Sequence, residues 1–386
     1  MSAVDADLTS SLAGRIDDAL RRRDTATALR LLSEAEAASP ASLEIKMQKA
    51  VAQRVAGDFE GALLTLEAAL SLDPYNFMAL LAKGAMLERV MGERHAAETY
   101  RNALKIAPRD PPPQLRPAMA RAQEVIDGTA DALEAYLRTS LKDMGALSGA
   151  TKARIDEGVR VFSNRSRIFN AEPLFLHYPR LPAIPFYDRD LFPWLPELEA
   201  ATDTILSELR PLLESRQGFA PYIDYPPGVP TNQWAELNHN PRWSSYFLWR
   251  DGVRQDVACG QCPKTVAVLE SLPLCDQPGF APTVVFSALE AGTHIPPHTG
   301  STNTRLLVHL PLILPGPARF RVGNETREWR MGEAWVFDDT IEHEAWNDAE
   351  ALRVIMILDI WNPYIEPAER ELVCAMLTAR NQFFGL

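Results

Sequence analysis

The first third of the chain repeats itself every 34 residues, and this period restricts the fold more than any other feature of the sequence. Proline or alanine recurs at three phases of the repeat, and a large apolar residue recurs at a fourth. The positions are Pro40, Pro74 and Pro108; Ala28, Ala62 and Ala96; Ala35, Ala69 and Ala103; and Leu32, Leu66 and Tyr100. Small residues allow two helices to approach closely, and a proline cannot continue a helix. The period therefore predicts stacked pairs of antiparallel helices.

These positions resemble the tetratricopeptide repeat over about residues 10 to 140. Each helix pair completes its apolar face only against the next pair, so an array needs about three units, and about three are present. One interpretation is a concave surface that recruits a peptide or protein substrate. The other is a packing or dimerisation module for a second domain, and both remain open at this point.

The length of 386 residues exceeds what one hydrophobic core usually supports, so more than one domain is expected. We predict a helical repeat domain over residues 10–145, a linker over 146–175 and a second domain over 176–386. The net charge of −12 argues against nucleic acid and acidic membrane surfaces as partners, because both need a basic face. The sequence has neither a leader peptide nor a run of ~18 apolar residues, so we expect a cytoplasmic protein without a membrane span.

The four cysteines are too few and too unevenly spaced for the disulfide framework of a secreted protein. Cys259 and Cys262 form a CxxC motif, but a structural zinc site needs a second pair, which the sequence lacks. We therefore expect ordinary, partly buried thiols, with a metal or redox role as the alternative.

From Pro282 onward, short runs of β-forming residues alternate with turn signals. Many short strands at close spacing predict an antiparallel sandwich or barrel. Gly323-Asn324 lies between two alternating runs and predicts a two-residue hairpin turn, because both residues tolerate positive φ. The expected fold class is thus α+β multidomain, with an N-terminal helical array followed by a β domain.

Four of the seven histidines fall in this β region, namely His294, His298, His309 and His343. His298 follows two prolines in a predicted loop, and His343 opens a predicted strand, so both could point into one cavity. A non-haem iron site usually adds a carboxylate two residues after the first histidine. Gly300 stands at that position, so either the site is inactive or two histidines hold the metal with water in the vacated position.

Period-two geometry places Arg305, Leu307 and His309 on one face of a strand. A hairpin that turned near Ala349 would place Arg353 one pleat from His343 and on the same face. An arginine inside an apolar barrel needs an anion, and its planar fork fits a carboxylate. The alternative is a structural ion pair with one of three aspartates, Asp338, Asp339 or Asp359.

Three motifs together resemble the aspartyl/asparaginyl β-hydroxylase family. They are Gly292-Thr-His-Ile-Pro-Pro-His-Thr-Gly300 with its continuation through His309-Leu-Pro-Leu, then Gly323-Asn-Glu-Thr-Arg327, and Phe337-Asp-Asp-Thr-Ile-Glu-His-Glu-Ala-Trp346. The resemblance extends over about residues 280 to 365 and, more loosely, back to about 175. It implies a double-stranded β-helix (a cupin-like jelly roll), iron(II) held by two histidines without a carboxylate, and 2-oxoglutarate as cosubstrate.

Carried over position by position, the resemblance makes His298 and His343 the iron ligands. Arg353 would hold the distal carboxylate of 2-oxoglutarate with help from Ser287, and His309 would contact the carboxylate nearer the metal. Animal members of the family carry a second arginine where Leu307 stands in this sequence. Arg305 and Asn303 are the candidates to compensate for it.

The implied function is hydroxylation of a carbon, with 2-oxoglutarate decarboxylated to succinate. The leading hypothesis for the target is the β-carbon of Asp or Asn in a peptide, a protein or a carrier-bound substrate. Two alternatives remain: a lipid-directed hydroxylase of the same family, and a non-catalytic adaptor that binds a client through its repeats and retains a vestigial barrel.

Overall fold

The computed structural model describes residues 12, 14–142 and 149–385. The chain forms two compact units, Met1–Ser166 and Arg167–Leu386. The boundaries predicted at residues 10, 145 and 146 lie outside the described residues. The stretch predicted as a linker contains the helix Gly149–Phe162, which belongs to the first unit and is anchored by the buried side chain of Val159.

Helices that alternate with short turns make up the first unit, and consecutive helices pack against each other as the period predicts. Ala28, Ala62 and Ala96 have no solvent exposure, so this phase of the repeat has room only for a small side chain. A Cβ added at Gly84 would lie 2.4 Å from the ring of Tyr100, which shows how closely two of the helices approach. The predicted helical array is confirmed. Its helices include Thr25–Ala38, Leu43–Ala56, Phe59–Leu72, Phe77–Met91, Glu93–Lys105, Arg116–Ser140 and Gly149–Phe162.

Polar side chains fix where four of these helices begin. Asp24, Ser42, Asp58 and Asn76 each accept a hydrogen bond from the backbone N–H three residues further on. Such caps satisfy backbone donors that have no partner inside the helix. The repeated prolines lie in the turns just beyond the helices, where a missing N–H costs nothing.

The second unit contains two antiparallel sheets. Its strands are β1 (Ala220–Pro221), β2 (Trp243–Arg250), β3 (Val253–Arg254), β4 (Val284–Leu289), β5 (His294–His298), β6 (Arg305–Ile313), β7 (Ala318–Val322), β8 (Glu325–Glu328), β9 (Trp335–Phe337), β10 (His343–Asn347) and β11 (Arg353–Trp361). The larger sheet has the order β1-β2-β4-β11-β6-β9, with β3 beside β2, and the smaller sheet has the order β5-β10-β7-β8. From β4 onward the chain passes between the two sheets, except that β7 and β8 follow each other in the smaller one, and the predicted antiparallel β domain is confirmed.

The central strands of the larger sheet are covered on both faces. Strands β4 and β11 therefore consist almost entirely of buried residues, without alternation of apolar and polar positions. One face packs against the helices Thr202–Ser215 and Pro263–Glu270. The opposite face looks toward the smaller sheet across a second apolar cluster that includes Phe320 and Phe337. The remaining helices of this unit are Leu195–Ala200, Asp256–Gln261 and Pro367–Phe384.

The predicted hairpin between His343 and Arg353 is wrong. Strand β10 pairs with β5 and β7, whereas β11 pairs with β4 and β6 in the other sheet, so Arg353 lies opposite Leu289 and not opposite Ala345. The reason is that β11 is apolar on both faces and is buried only at the centre of the larger sheet. The other predicted hairpin is confirmed, since Val322 pairs with Glu325 and Gly323 adopts φ +57°.

Two further expectations concern membranes and thiols. Among the described helices, none combines the length and apolarity needed to cross a bilayer. Cys259, Cys262 and Cys275 are buried free thiols. Burial raises the pKa of each, to about 12 for Cys262, which disfavours a reactive thiolate.

Candidate active site

A cavity of about 330 Å³ lies in the second unit, and strands of both sheets line it. Strand β6 contributes Arg305, Leu307 and His309, so the predicted alternation of faces is confirmed. The other site residues predicted from the sequence that line this cavity are Ser287, His298, His343 and Arg353. The cavity thus brings together side chains that are widely separated along the chain.

His298 and His343 form a directly opposed pair on the neighbouring strands β5 and β10. Their ring centroids are 4.0 Å apart. Nδ1 of His298 lies 2.7 Å from the carbonyl oxygen of Pro296, and Nδ1 of His343 lies 3.0 Å from that of Ile341. A carbonyl can only accept, so both Nδ1 atoms carry the proton and donate it. Each Nε2 then holds the lone pair that a metal ligand needs.

Burial keeps both imidazoles neutral. Desolvation lowers the pKa of His298 to about 4 and lowers that of His343 well below its ordinary value, helped there by the neighbouring His298. The edge of Trp234 packs on His298, with ring centroids 4.9 Å apart, and Phe337 packs on His343 at 5.6 Å. Two neutral nitrogen donors are therefore fixed in place by apolar walls.

The carboxyl group of Asp339 occupies the place that a side chain at Gly300 would take. A Cβ at Gly300 would lie 1.8 Å from Oδ2 of Asp339, and the Gly300 N–H donates to the Asp339 backbone carbonyl at 2.6 Å. Burial raises the pKa of Asp339 to about 7, and its Oδ1 has no hydrogen-bond partner. Gly300 is thus required by packing, and the carboxyl group of Asp339 lines the same cavity as the two imidazoles.

Arg353 is completely buried, and none of its three guanidinium nitrogens has a hydrogen-bond partner in the described structure. Desolvation alone lowers its pKa to about 9. The alternative of an ion pair with Asp338, Asp339 or Asp359 is therefore wrong. Asp338 accepts from Thr340, and Asp359 pairs with Arg305. A buried cation with free donors is a site for an anion that the chain itself does not supply.

The remaining predicted residues differ in what they can do. His309 lines the cavity with an unpartnered Nδ1, and desolvation followed by the charge of Arg353 lowers its pKa well below the ordinary value. Ser287 accepts a hydrogen bond from the indole of Trp243 at 3.0 Å. The guanidinium of Arg305 forms an ion pair with the buried carboxylate of Asp359. In the described structure Asn303 does not line the cavity, because both ends of its amide bond the backbone of Tyr178.

Sequence reasoning missed two residues of this site, Trp329 and the role of Asp339. Trp329 follows β8, lines the cavity, and has an indole N–H without a partner. No periodic pattern marks it, because it lies beyond the end of a short strand. A buried metal site with three or more histidine, cysteine or carboxylate side chains is absent from the part of the chain that the structure describes. The metal candidate therefore rests on the two imidazoles.

Comparison with known proteins gives a consistent result. The family model described as aspartyl/asparaginyl beta-hydroxylase matches residues 199–363. The chain is 28% identical over 332 residues to human "Aspartyl/asparaginyl beta-hydroxylase", covering 82% of this chain and 43% of that protein. It is 35% identical over 201 residues to the "Ornithine lipid ester-linked acyl 2-hydroxylase" of Rhizobium tropici, covering 51% of this chain and 68% of that protein. The chain thus spans less than half of the human relative.

Among solved structures, the Sgt2 TPR domain from Aspergillus fumigatus is 21% identical and covers 37% of this chain and 92% of its own, with a TM-score of 0.28. A TM-score this low does not establish a shared fold. The helical array rests instead on its own 34-residue period and on the packing of its helices.

Proposed function

Because this chain belongs to the aspartyl/asparaginyl β-hydroxylase family, we propose that it is a hydroxylase that uses iron(II) and 2-oxoglutarate. The observation that carries the proposal is the pairing of two neutral imidazoles with an unpartnered, buried guanidinium in one cavity. A buried guanidinium without a hydrogen-bond partner has a cost in stability, and a bound anion would offset that cost.

The residues present fit an iron(II) ion. His298 and His343 offer two nitrogen donors whose orientation is set by backbone carbonyls, as is usual for metal-binding histidines. Iron(II) in such oxygenases needs open coordination positions for its cosubstrate and dioxygen. Two protein ligands would leave those positions open.

The residues present also fit 2-oxoglutarate. Arg353 would bind the distal carboxylate through its unpartnered N–H groups, and the hydroxyl of Ser287 remains able to donate while its oxygen accepts from Trp243. His309 would contact the carboxylate nearer the metal. The bound iron and 2-oxoglutarate would supply the oxidising chemistry: with dioxygen, a C–H bond becomes C–OH, and 2-oxoglutarate becomes succinate and carbon dioxide.

The charges of the cavity favour an uncharged target group. Among the described arginines that line it, Arg305 is neutralised by Asp359, Arg250 lies 3.8 Å from Asp251, and Arg353 is assigned to the cosubstrate. Among the described residues that line the cavity, a substrate carboxylate would then find no unpaired buried cation, and only the exposed Arg250 would remain within the lining. We propose an Asn side chain of a peptide or protein, or an acyl chain, ahead of an Asp side chain. The similarity to the ornithine lipid hydroxylase of Rhizobium tropici supports the acyl chain as an alternative target.

The helical repeats are proposed to recruit a peptide or protein client. If they do, the KM for a full-length client should be well below that for a short peptide containing the same target residue. Equal KM values for the two would assign the repeats a packing role instead.

Succinate formation tests the proposed function directly. With iron(II), dioxygen and ascorbate as the reductant, we expect the protein to convert 2-oxoglutarate to succinate and carbon dioxide, and expect His298→Ala and His343→Ala to abolish the reaction. His294→Ala is the matched control, because His294 lies on the same strand but pairs with Glu344 at 2.8 Å outside the cavity. No succinate from the wild type would favour the non-catalytic adaptor, and equal succinate from all variants would show that His298 and His343 do not hold the metal.

A further inference from the structure

Unsatisfied polar atoms concentrate around Trp329 and Arg353. Among the described residues, nine buried side-chain atoms lack a hydrogen-bond partner. Five of these nine belong to Arg353, His309 and Trp329, all of which line the same cavity. Leaving such an atom buried without a partner destabilises the folded protein. Their clustering indicates a ligand that satisfies several of them together.

Trp329 is in direct contact with the guanidinium. The central carbon of Arg353 lies 4.6 Å from the centroid of the Trp329 ring, which is cation–π distance. The indole is 6% exposed, and its Nε1–H has no acceptor. An indole N–H can only donate, as can the N–H groups of arginine. A group that accepts from both must be rich in acceptor oxygens and negatively charged, which describes a carboxylate.

We propose that Trp329 is a binding residue for the dicarboxylic cosubstrate: its N–H donates to the distal carboxylate while its ring face holds the Arg353 guanidinium. This inference rests on the proposed function, since it takes 2-oxoglutarate as the ligand. It assigns Trp329 two separable interactions, one through the ring and one through the nitrogen. A phenylalanine at this position would keep the first interaction and remove the second.

A neighbouring tryptophan provides the comparison. Trp335 stacks on Trp329 with ring centroids 5.7 Å apart and planes 14° from parallel. It does not line the cavity in the described structure. Trp335→Phe therefore disturbs the same aromatic stack without removing a donor from the ligand site, and it controls for loss of packing.

The test compares two ligands in the full-length protein loaded with manganese(II), by titration calorimetry. 2-Oxopentanoate carries a methyl group where 2-oxoglutarate carries its distal carboxylate. Its affinity therefore reflects every contact of 2-oxoglutarate except those of the distal carboxylate. Trp329→Phe should lower the affinity for 2-oxoglutarate roughly tenfold or more, which is the effect expected for a hydrogen bond to a charged group. It should leave the affinity for 2-oxopentanoate unchanged. Trp335→Phe should change neither affinity.

Other outcomes overturn the inference in distinguishable ways. If Trp329→Phe lowers the affinity for both ligands equally, Trp329 acts only through packing. If it lowers the affinity for neither ligand, the indole N–H does not contact the cosubstrate. A wild type that binds neither ligand would overturn the proposed function, and this inference with it. Should the variant not fold, a crystal structure of the wild-type complex decides: Nε1 within about 3.2 Å of a distal carboxylate oxygen supports donation, and a longer distance contradicts it.

Discussion

His298 and His343 stand opposite each other on adjacent antiparallel strands, with ring centroids 4.0 Å apart. The pairing of β5 with β10 is irregular just beyond this point, since Ala345 lies opposite Ile295 and not opposite Pro296. One residue of β5 is therefore extra, as in a β-bulge. Bulges of this kind re-aim side chains near active sites. Because directly opposed residues of an antiparallel pair lie on the same face, both rings point into the cavity.

Gly300→Ala should destabilise the second unit, because the new methyl group would collide with the Asp339 carboxyl group. Overpacking of a filled site typically costs about 1–3 kcal/mol, measurable as a lower free energy of unfolding in urea. The double variant Gly300→Ala/Asp339→Ala should recover part of that loss.

Gly260→Ala is the matched control, since it lies in the helix Asp256–Gln261 and a Cβ there would have no atom within 4 Å. We expect it to leave stability equal or slightly higher. Equal stability of the Gly300 and Gly260 variants would contradict the close contact between Gly300 and Asp339.

Arg353→Met should weaken 2-oxoglutarate binding and stabilise the ligand-free protein by ~1–3 kcal/mol, because it removes a buried charge whose donors are unpaired. The same argument predicts a pH dependence. Burial lowers the pKa of Arg353 to about 9 in the folded protein, below its ordinary value. Below that pH both the folded and the unfolded wild type are protonated, so the full burial penalty applies.

Above about pH 9 the folded wild type releases this proton while the unfolded chain keeps it, so the stability of the wild type rises relative to that of Arg353→Met. Unfolding of both proteins in urea at pH 7 and at about pH 10 measures the difference. A gap that widens with rising pH, or an Arg353→Met protein less stable than the wild type at pH 7, would show that the guanidinium has a partner in solution.

Asp359→Asn should cost roughly 3–5 kcal/mol of stability, because it leaves the buried cation of Arg305 without its counter-charge. Asp348→Asn is the control: its pair with Arg319 is partly exposed, and such pairs contribute at most about 1 kcal/mol. Chemical denaturation of both variants checks the contrast. Losses of equal size would mean that Arg305 is available to a substrate carboxylate, and the preference for an uncharged target would be withdrawn.

Local sequence patterns predicted much of this molecule. The 34-residue period predicted the helical array, and period-two alternation predicted that Arg305, Leu307 and His309 share a face. Both depend on neighbours in the sequence. The placement of β10 and β11 in different sheets depends on competition between strands for central positions, which spacing alone does not reveal.

The same limit explains the two residues that were missed. Asp339 fills the space beside Gly300 through a contact between distant segments, and the unpaired N–H of Trp329 is visible only once its surroundings are known. For Asn303 the sequence suggested a cofactor contact, but a backbone segment more than a hundred residues away occupies its amide.

The central claim is that two imidazoles and one guanidinium hold a metal ion together with a dicarboxylic acid. A crystal structure of the full chain, soaked without oxygen in manganese(II) and 2-oxoglutarate, tests it most directly. We predict one metal ion bound by Nε2 of His298 and Nε2 of His343, with the far end of the dicarboxylate on Arg353. A metal ion bound elsewhere, or a dicarboxylate that leaves Arg353 without a partner, would contradict the account.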